Sequence, residues 1–101
     1  MTVLRRFGSR VVHVHLKNVR RSVAERVAKE PTSFESAVKA GVFTVPGDPE
    51  GSVDFDAIVR ELGAVGYEGW LVVEAEQDPK IATPREYAQL GRDWVRRAAG
   101  V

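Results

Sequence analysis

The chain of 101 residues contains no cysteine. That excludes a disulfide framework and any thiolate metal site, so a metal held here must use nitrogen and oxygen ligands. Neither sign of charge dominates, because fifteen Lys and Arg stand against fourteen Asp and Glu for a formal net charge of +1. The field that draws nucleic acid or an anionic membrane is therefore missing, and neither is expected as a partner. Apolar runs are all too short to span a bilayer, and the opening MTVLRRFGSR lacks the apolar stretch of a secretory signal. A cytoplasmic location is the expectation. No repeat or low-complexity segment is present, and 44% hydrophobic with 29% charged residues is the balance of an ordinary globular domain.

Within that frame the sequence reads as alternating α and β. Residues 2–7 look like a helix ended by Gly8, with its basic residues near the C-terminus. Val11 to Leu16 is short and β-branched, which suits a buried strand, and WLVVEAEQ at 70–77 suits a second. Residues 19–31 predict a solvated helix stopping before Pro31. Thr32 and Glu35 form a capping box for a helix ending at Gly41, and the prolines and glycines of 42–52 predict a loop. Asp54 caps a helix carrying Phe55, Ile58, Val59, Leu62 and Val65 at helical spacing. Thr83, Pro84 and Glu86 open a last helix carrying Tyr87, Leu90, Trp94 and Ala98. Strand, long connection, strand and helix is the order of parallel βα units.

The two-residue period of a strand sorts the side chains. Val12, Val14 and Leu16 share one face, and His13, His15 and Lys17 the other. On the second strand, Leu71, Val73 and Ala75 oppose Val72, Glu74 and Glu76. With helices on the aliphatic faces, the ionisable faces turn into one space, which in an eight-stranded α/β barrel is the interior near the carboxyl ends of the strands. A barrel needs eight strands and this chain supplies two. It reads as the tail end of one.

A lone His-x-His more commonly marks hydrogen-bonded interior histidines than a metal site. Glu74 and Glu76 alter the balance, because a carboxylate turned inward needs a metal or a cationic partner, here Lys17 or Arg21. The two readings stand level on local grounds. Imidazole with carboxylate suits Mn, Fe, Co, Zn or Mg without selecting among them. The loop TVPGDPEG reads as a structural turn before a cover over substrate, Arg20, Arg21, Arg96 and Arg97 as solvated faces, and Trp70 and Trp94 as packing aromatics.

The segments RFGSRVVHVHLKNVR, SFESAVKAGVFTVPGD, VDFDAIVRELGAVGYEGWLVVEAEQDP and YAQLGRDWVRRA together resemble the C-terminal part of the inosose dehydratases. These belong to the xylose isomerase-like superfamily of sugar isomerases and epimerases, (β/α)8 barrels with a divalent metal. The resemblance implies that residues 1–101 are one partial domain, a C-terminal fragment of a TIM barrel with about strands 7 and 8 and their helices. It implies His15 and Glu74 as metal ligands, His13, Lys17 and Arg21 as substrate contacts, and Glu74, Lys17 and Glu76 as catalytic candidates. The activity implied for the whole enzyme is dehydration of 2-keto-myo-inositol, a small polyol ketone, with the divalent metal as cofactor. Isomerisation or epimerisation is the alternative within the superfamily. A catalytically silent fragment, stable only by self-association or by pairing with the missing barrel portion, is the alternative outside it. Two departures stand out: relatives often carry Asp where this chain has Asn18, and GDPEGSVDF is longer than the usual turn.

Overall fold

The computed structural model of the chain describes residues 2–101. The two aliphatic runs pair as parallel strands, β1 (Val14–Leu16) beside β4 (Leu71–Val73), in the register Val14 with Leu71, His15 with Val72 and Leu16 with Val73. The ladder is shorter than residues 11–16 and 70–77 predict. Among the described residues the only bonds that extend it are Val14 N–H to Trp70 O at 3.3 Å and Glu74 N–H to Leu16 O at 3.1 Å. A β-branched segment adopts ladder structure only where a neighbouring strand accepts its hydrogen bonds.

The aliphatic faces behave as the alternation requires. Leu16, Phe55 and Val95 form the buried cluster, with Val14, Ile58, Leu71, Val73 and Trp94 packed around it. Each fully buried aliphatic side chain of this kind contributes about 2 kcal/mol by leaving water. Val12 lies on the same face and is 81% exposed, because nothing among the described residues covers it. Trp70 corrects the sequence reading: it is 77% exposed and packs in no core, whereas Trp94 meets Phe55 edge to face with centroids 5.7 Å apart.

Helices cover the aliphatic side. The helix α1 (Thr2–Phe7) runs into a 3-10 turn at Gly8–Arg10, and Gly8 is not the left-handed cap expected. Its lack of a Cβ matters for another reason, since one placed there would sit 2.8 Å from Val65 Cβ. The helices α2 (Arg21–Val27) and α3 (Phe34–Lys39) follow. The cap of α3 is Ser33, whose Oγ accepts from Ser36 N–H at 3.1 Å, one residue beyond the Thr32 predicted. Thr32 instead turns its hydroxyl to the Glu30 carbonyl.

Asp54 caps α4 (Phe55–Ala64) through Oδ1 and Ala57 N–H, as its sequence position implies. The last helix, α5 (Pro84–Ala99), has proline in its first turn and Gly100 at φ +70 beyond its end. Thr83 makes no capping bond, so the box expected there is not formed.

The loop at 42–52 is less irregular than its prolines suggest. After Lys17 the chain leaves the parallel sheet, and β2 (Asn18–Val19) pairs antiparallel with β3 (Phe43–Thr44), with a further bridge from Arg20 to Gly51. Thr44, Val45 and Pro46 are fully buried. This segment is a wall of the core. Gly47 turns it at φ +90 and brings it against α5, where a Cβ would lie 3.0 Å from Trp94 Cβ. Among the described residues no helix is long and apolar enough to cross a membrane.

Candidate functional site

Because β1 and β4 lie side by side in parallel, their polar faces open on one side of the sheet. His15 Nδ1 lies 3.2 Å from Glu74 Oε2, and Lys17 Nζ lies 2.7 Å from Glu74 Oε1 and 2.5 Å from Glu76 Oε2. The ammonium also stands 4.5 Å from the centre of the Phe43 ring, a cation–π contact supplied by β3. His13 completes the face, its ring tilted against that of His15 with centroids 5.1 Å apart. His15 and Glu74 are open to solvent, with side chains 53% and 37% exposed.

Electrostatics follow the contacts. Hydrogen bonding from Lys17 first, then from His15, holds the Glu74 carboxyl below the usual carboxylate range despite some desolvation. Glu74 and then Glu76 raise the Lys17 ammonium above its usual value. Glu74 is therefore ionised, with one oxygen facing an imidazole nitrogen and the other held by a cation. His15 and Glu74 contact each other directly, and imidazole nitrogen beside carboxylate oxygen is a donor pair of the kind that suits a divalent ion of the Mn, Co, Mg, Fe or Zn group. They are two donors, and among the described residues no group of three or more His, Asp or Glu is placed to hold a metal.

The ion-pair partner of the glutamates is Lys17. Arg21 opens α2 with an exposed side chain and, among the described residues, forms no pair with Glu74 or Glu76. Its neighbour Arg20 departs from the expected solvated face, whereas Arg21 keeps to it. The Arg20 side chain is only 10% exposed and reaches Asp48 Oδ2 at 2.6 Å, with the Asp48 side chain 6% exposed. Arg20 also donates to the carbonyls of Gly41 and Phe43, to Thr44 Oγ1 and to Tyr87 Oη, and its Nε lies 2.9 Å from Glu50 Oε2. Thr44 donates to the same Asp48 oxygen. Burial pushes the Asp48 carboxyl up, but bonds from Thr44, the Glu50 amide and Arg20 outweigh it and hold the carboxyl below its ordinary value.

Asn18 is the second residue the sequence reading undervalued. Its buried Oδ1 accepts from the backbone N–H groups of Val19, Ser52 and Val53, and Nδ2 donates to Val45 O at 3.4 Å. A carboxylate in its place accepts the same amides but cannot donate to Val45, so the side-chain amide is the better fit to this loop. The signal for both residues lay in the alternation: Leu16, Asn18 and Arg20 are buried at every second position, while His15 and Lys17 belong to the other face.

Comparison with known proteins places the chain in a family. The family model of the xylose isomerase-like TIM barrel matches residues 2–98. Curated relatives named inosose dehydratase are 56% identical over 99 residues in Geobacillus thermodenitrificans, 52% over 101 in Histophilus somni and 48% over 99 in Clostridium botulinum. These alignments take in 98–100% of this chain but 33% of each relative, so the chain spans about a third of the length of the proteins it matches. The parallel βα order, the shared polar face and the match over nearly all of its residues make this chain a member of the xylose isomerase-like TIM barrel family.

Proposed function

We propose that this chain is the C-terminal third of an inosose dehydratase, with β1 as the seventh barrel strand and β4 as the eighth. The observation that carries this reading is the convergence of His15 Nδ1 and Glu74 Oε2 at 3.2 Å on the polar face of the parallel pair, beside Lys17 and Glu76. His15 and Glu74 supply two ligands of a divalent metal site. When bound, the ion polarises a ketone and the adjacent hydroxyl of the substrate, making the neighbouring C–H more acidic. His13 and Arg21 bind hydroxyl groups of a small polyol ketone from the same face. Glu76 stands as the carboxylate base beside Glu74, and Lys17 as the acid facing the departing hydroxyl, each within reach of the other.

Loss of water from 2-keto-myo-inositol is the reaction this assigns to the whole barrel. The chain contributes its part in association with the remaining portion. That requirement is supported by exposed Val12 and Trp70 and by strand edges with no partner among the described residues. The test is co-expression of this chain with the other two-thirds of a relative, followed by an assay of 2-keto-myo-inositol dehydration. Turnover in the pair, lost in His15→Ala and Glu74→Ala, is the expected result. Full turnover by the chain alone, or undiminished turnover in both variants, contradicts the reading.

A further inference from the structure

We infer that Lys17 is a built-in counter-cation that competes with the divalent ion for Glu74, with Glu76 and Phe43 as the seat that keeps the ammonium when Glu74 is released. This rests on the metal reading of His15 and Glu74. Both oxygens of Glu74 are occupied. Its Oε2 faces His15, while its Oε1 is engaged by Lys17 at 2.7 Å. A metal drawn to this carboxylate meets a positive charge already bound to the other oxygen of the same group, and like charges at such separations oppose each other.

Lys17 is also held from the side away from His15. Glu76 Oε2 takes the ammonium at 2.5 Å, and the Phe43 ring lies 4.5 Å from Nζ. Phe43 belongs to β3, whose neighbour Thr44 is tied to Asp48 and through it to the buried Arg20. The Phe43 side of the second seat is therefore tied to a buried network, and Glu76 reaches the ammonium separately from Glu74. A lysine with two carboxylate partners can surrender one and remain paired, which a lysine with one partner cannot do without leaving its charge uncompensated. Lys17 thus holds one oxygen of Glu74 before the metal arrives and sets how tightly the metal is then held. Toward the metal it acts through Glu74.

The test is a Mn2+ titration of the chain assembled with the remaining two-thirds of a relative, following the free-ion electron paramagnetic resonance signal, for wild type, Lys17→Met, Lys17→Arg, Glu76→Gln and His15→Ala. Coulomb repulsion between an ammonium and a divalent ion about 5 Å apart in a water-like medium predicts Mn2+ binding on the order of tenfold tighter in Lys17→Met at low salt, with the gap narrowing as salt is raised. Lys17→Arg keeps the charge and should bind no more tightly than wild type. Glu76→Gln removes the alternative seat, leaves the ammonium on Glu74, and should bind several-fold more weakly. Equal or weaker binding in Lys17→Met, with uptake still lost in His15→Ala, overturns the counter-cation role alone. Uptake absent in every variant, or unchanged in His15→Ala, overturns the metal reading and this inference with it.

Discussion

Lys17 and Arg20 stand three positions apart and meet opposite environments. Lys17 bridges two carboxylates at an open face, whereas Arg20 holds Asp48 inside the molecule. An exposed ion pair contributes little to stability, but removing one partner of a buried pair strands the other charge. Asp48→Asn should therefore lower unfolding free energy by about 3 kcal/mol, tempered by the remaining Glu50 contact, as measured by urea denaturation. The pH dependence has a definite sign. The folded carboxyl of Asp48 is depressed, so its stabilising contribution is complete above the ordinary value of ~3.9 and is lost as pH falls through the folded value. Urea midpoints of wild type should fall on acidification below about pH 4, and Asp48→Asn should show a shallower fall. The polar face of residues 13, 15 and 17 was legible because strand periodicity needs only local sequence. Arg20 was misread because the alternation was stopped at Leu16; carried four residues further, it places both Asn18 and Arg20 inside.

At the scale of elements, the parallel pair and the helices α4 and α5 follow from β-branched runs, the Asp54 cap and the glycine stops. The β2–β3 pair does not. Its residues Asn18 and Thr44 are 26 positions apart, and a two-residue strand carries too little pattern to announce a distant partner. What marks that region is burial of Thr44, Val45 and Pro46, decided by packing against α5 and β1 and not by local propensity. Two glycines separate helix propensity from packing. Gly91 lies where α5 rests on β4, and a Cβ there would stand 2.6 Å from Val73 Cγ1. Gly63 sits in α4 with nothing within 4 Å. Gly91→Ala should destabilise the chain by about 1–3 kcal/mol through overpacking. Gly63→Ala should stabilise it by about 0.5–1 kcal/mol through helix propensity. Thermal unfolding of the two variants beside wild type checks the opposite signs.

Over the whole molecule, one side of a two-stranded parallel sheet is covered by helices and the other carries His13, His15, Lys17, Glu74 and Glu76. Parallel sheets are stable with both faces and their edges covered, so this chain presents the exposed Val12 and Trp70 for a neighbour to bury. Trp70 fluorescence should therefore shift to shorter wavelength when the remaining two-thirds of a relative is added; an unchanged spectrum in an active complex would exclude Trp70 from the contact. Which strands surround the parallel pair was not readable from periodicity, because a barrel is a property of eight parallel strands and, among the described residues, two strands pair in parallel. The central claim, that this face holds part of a metal site, rests on His15 and Glu74. It is tested most directly by Mn2+-induced broadening of the two histidine ring signals in the NMR spectrum of this chain. The account predicts that the His15 signals broaden at the lowest Mn2+ concentration and the His13 signals only later, with the effect abolished by Glu74→Gln. Equal broadening of both rings, or broadening that survives Glu74→Gln, would contradict it.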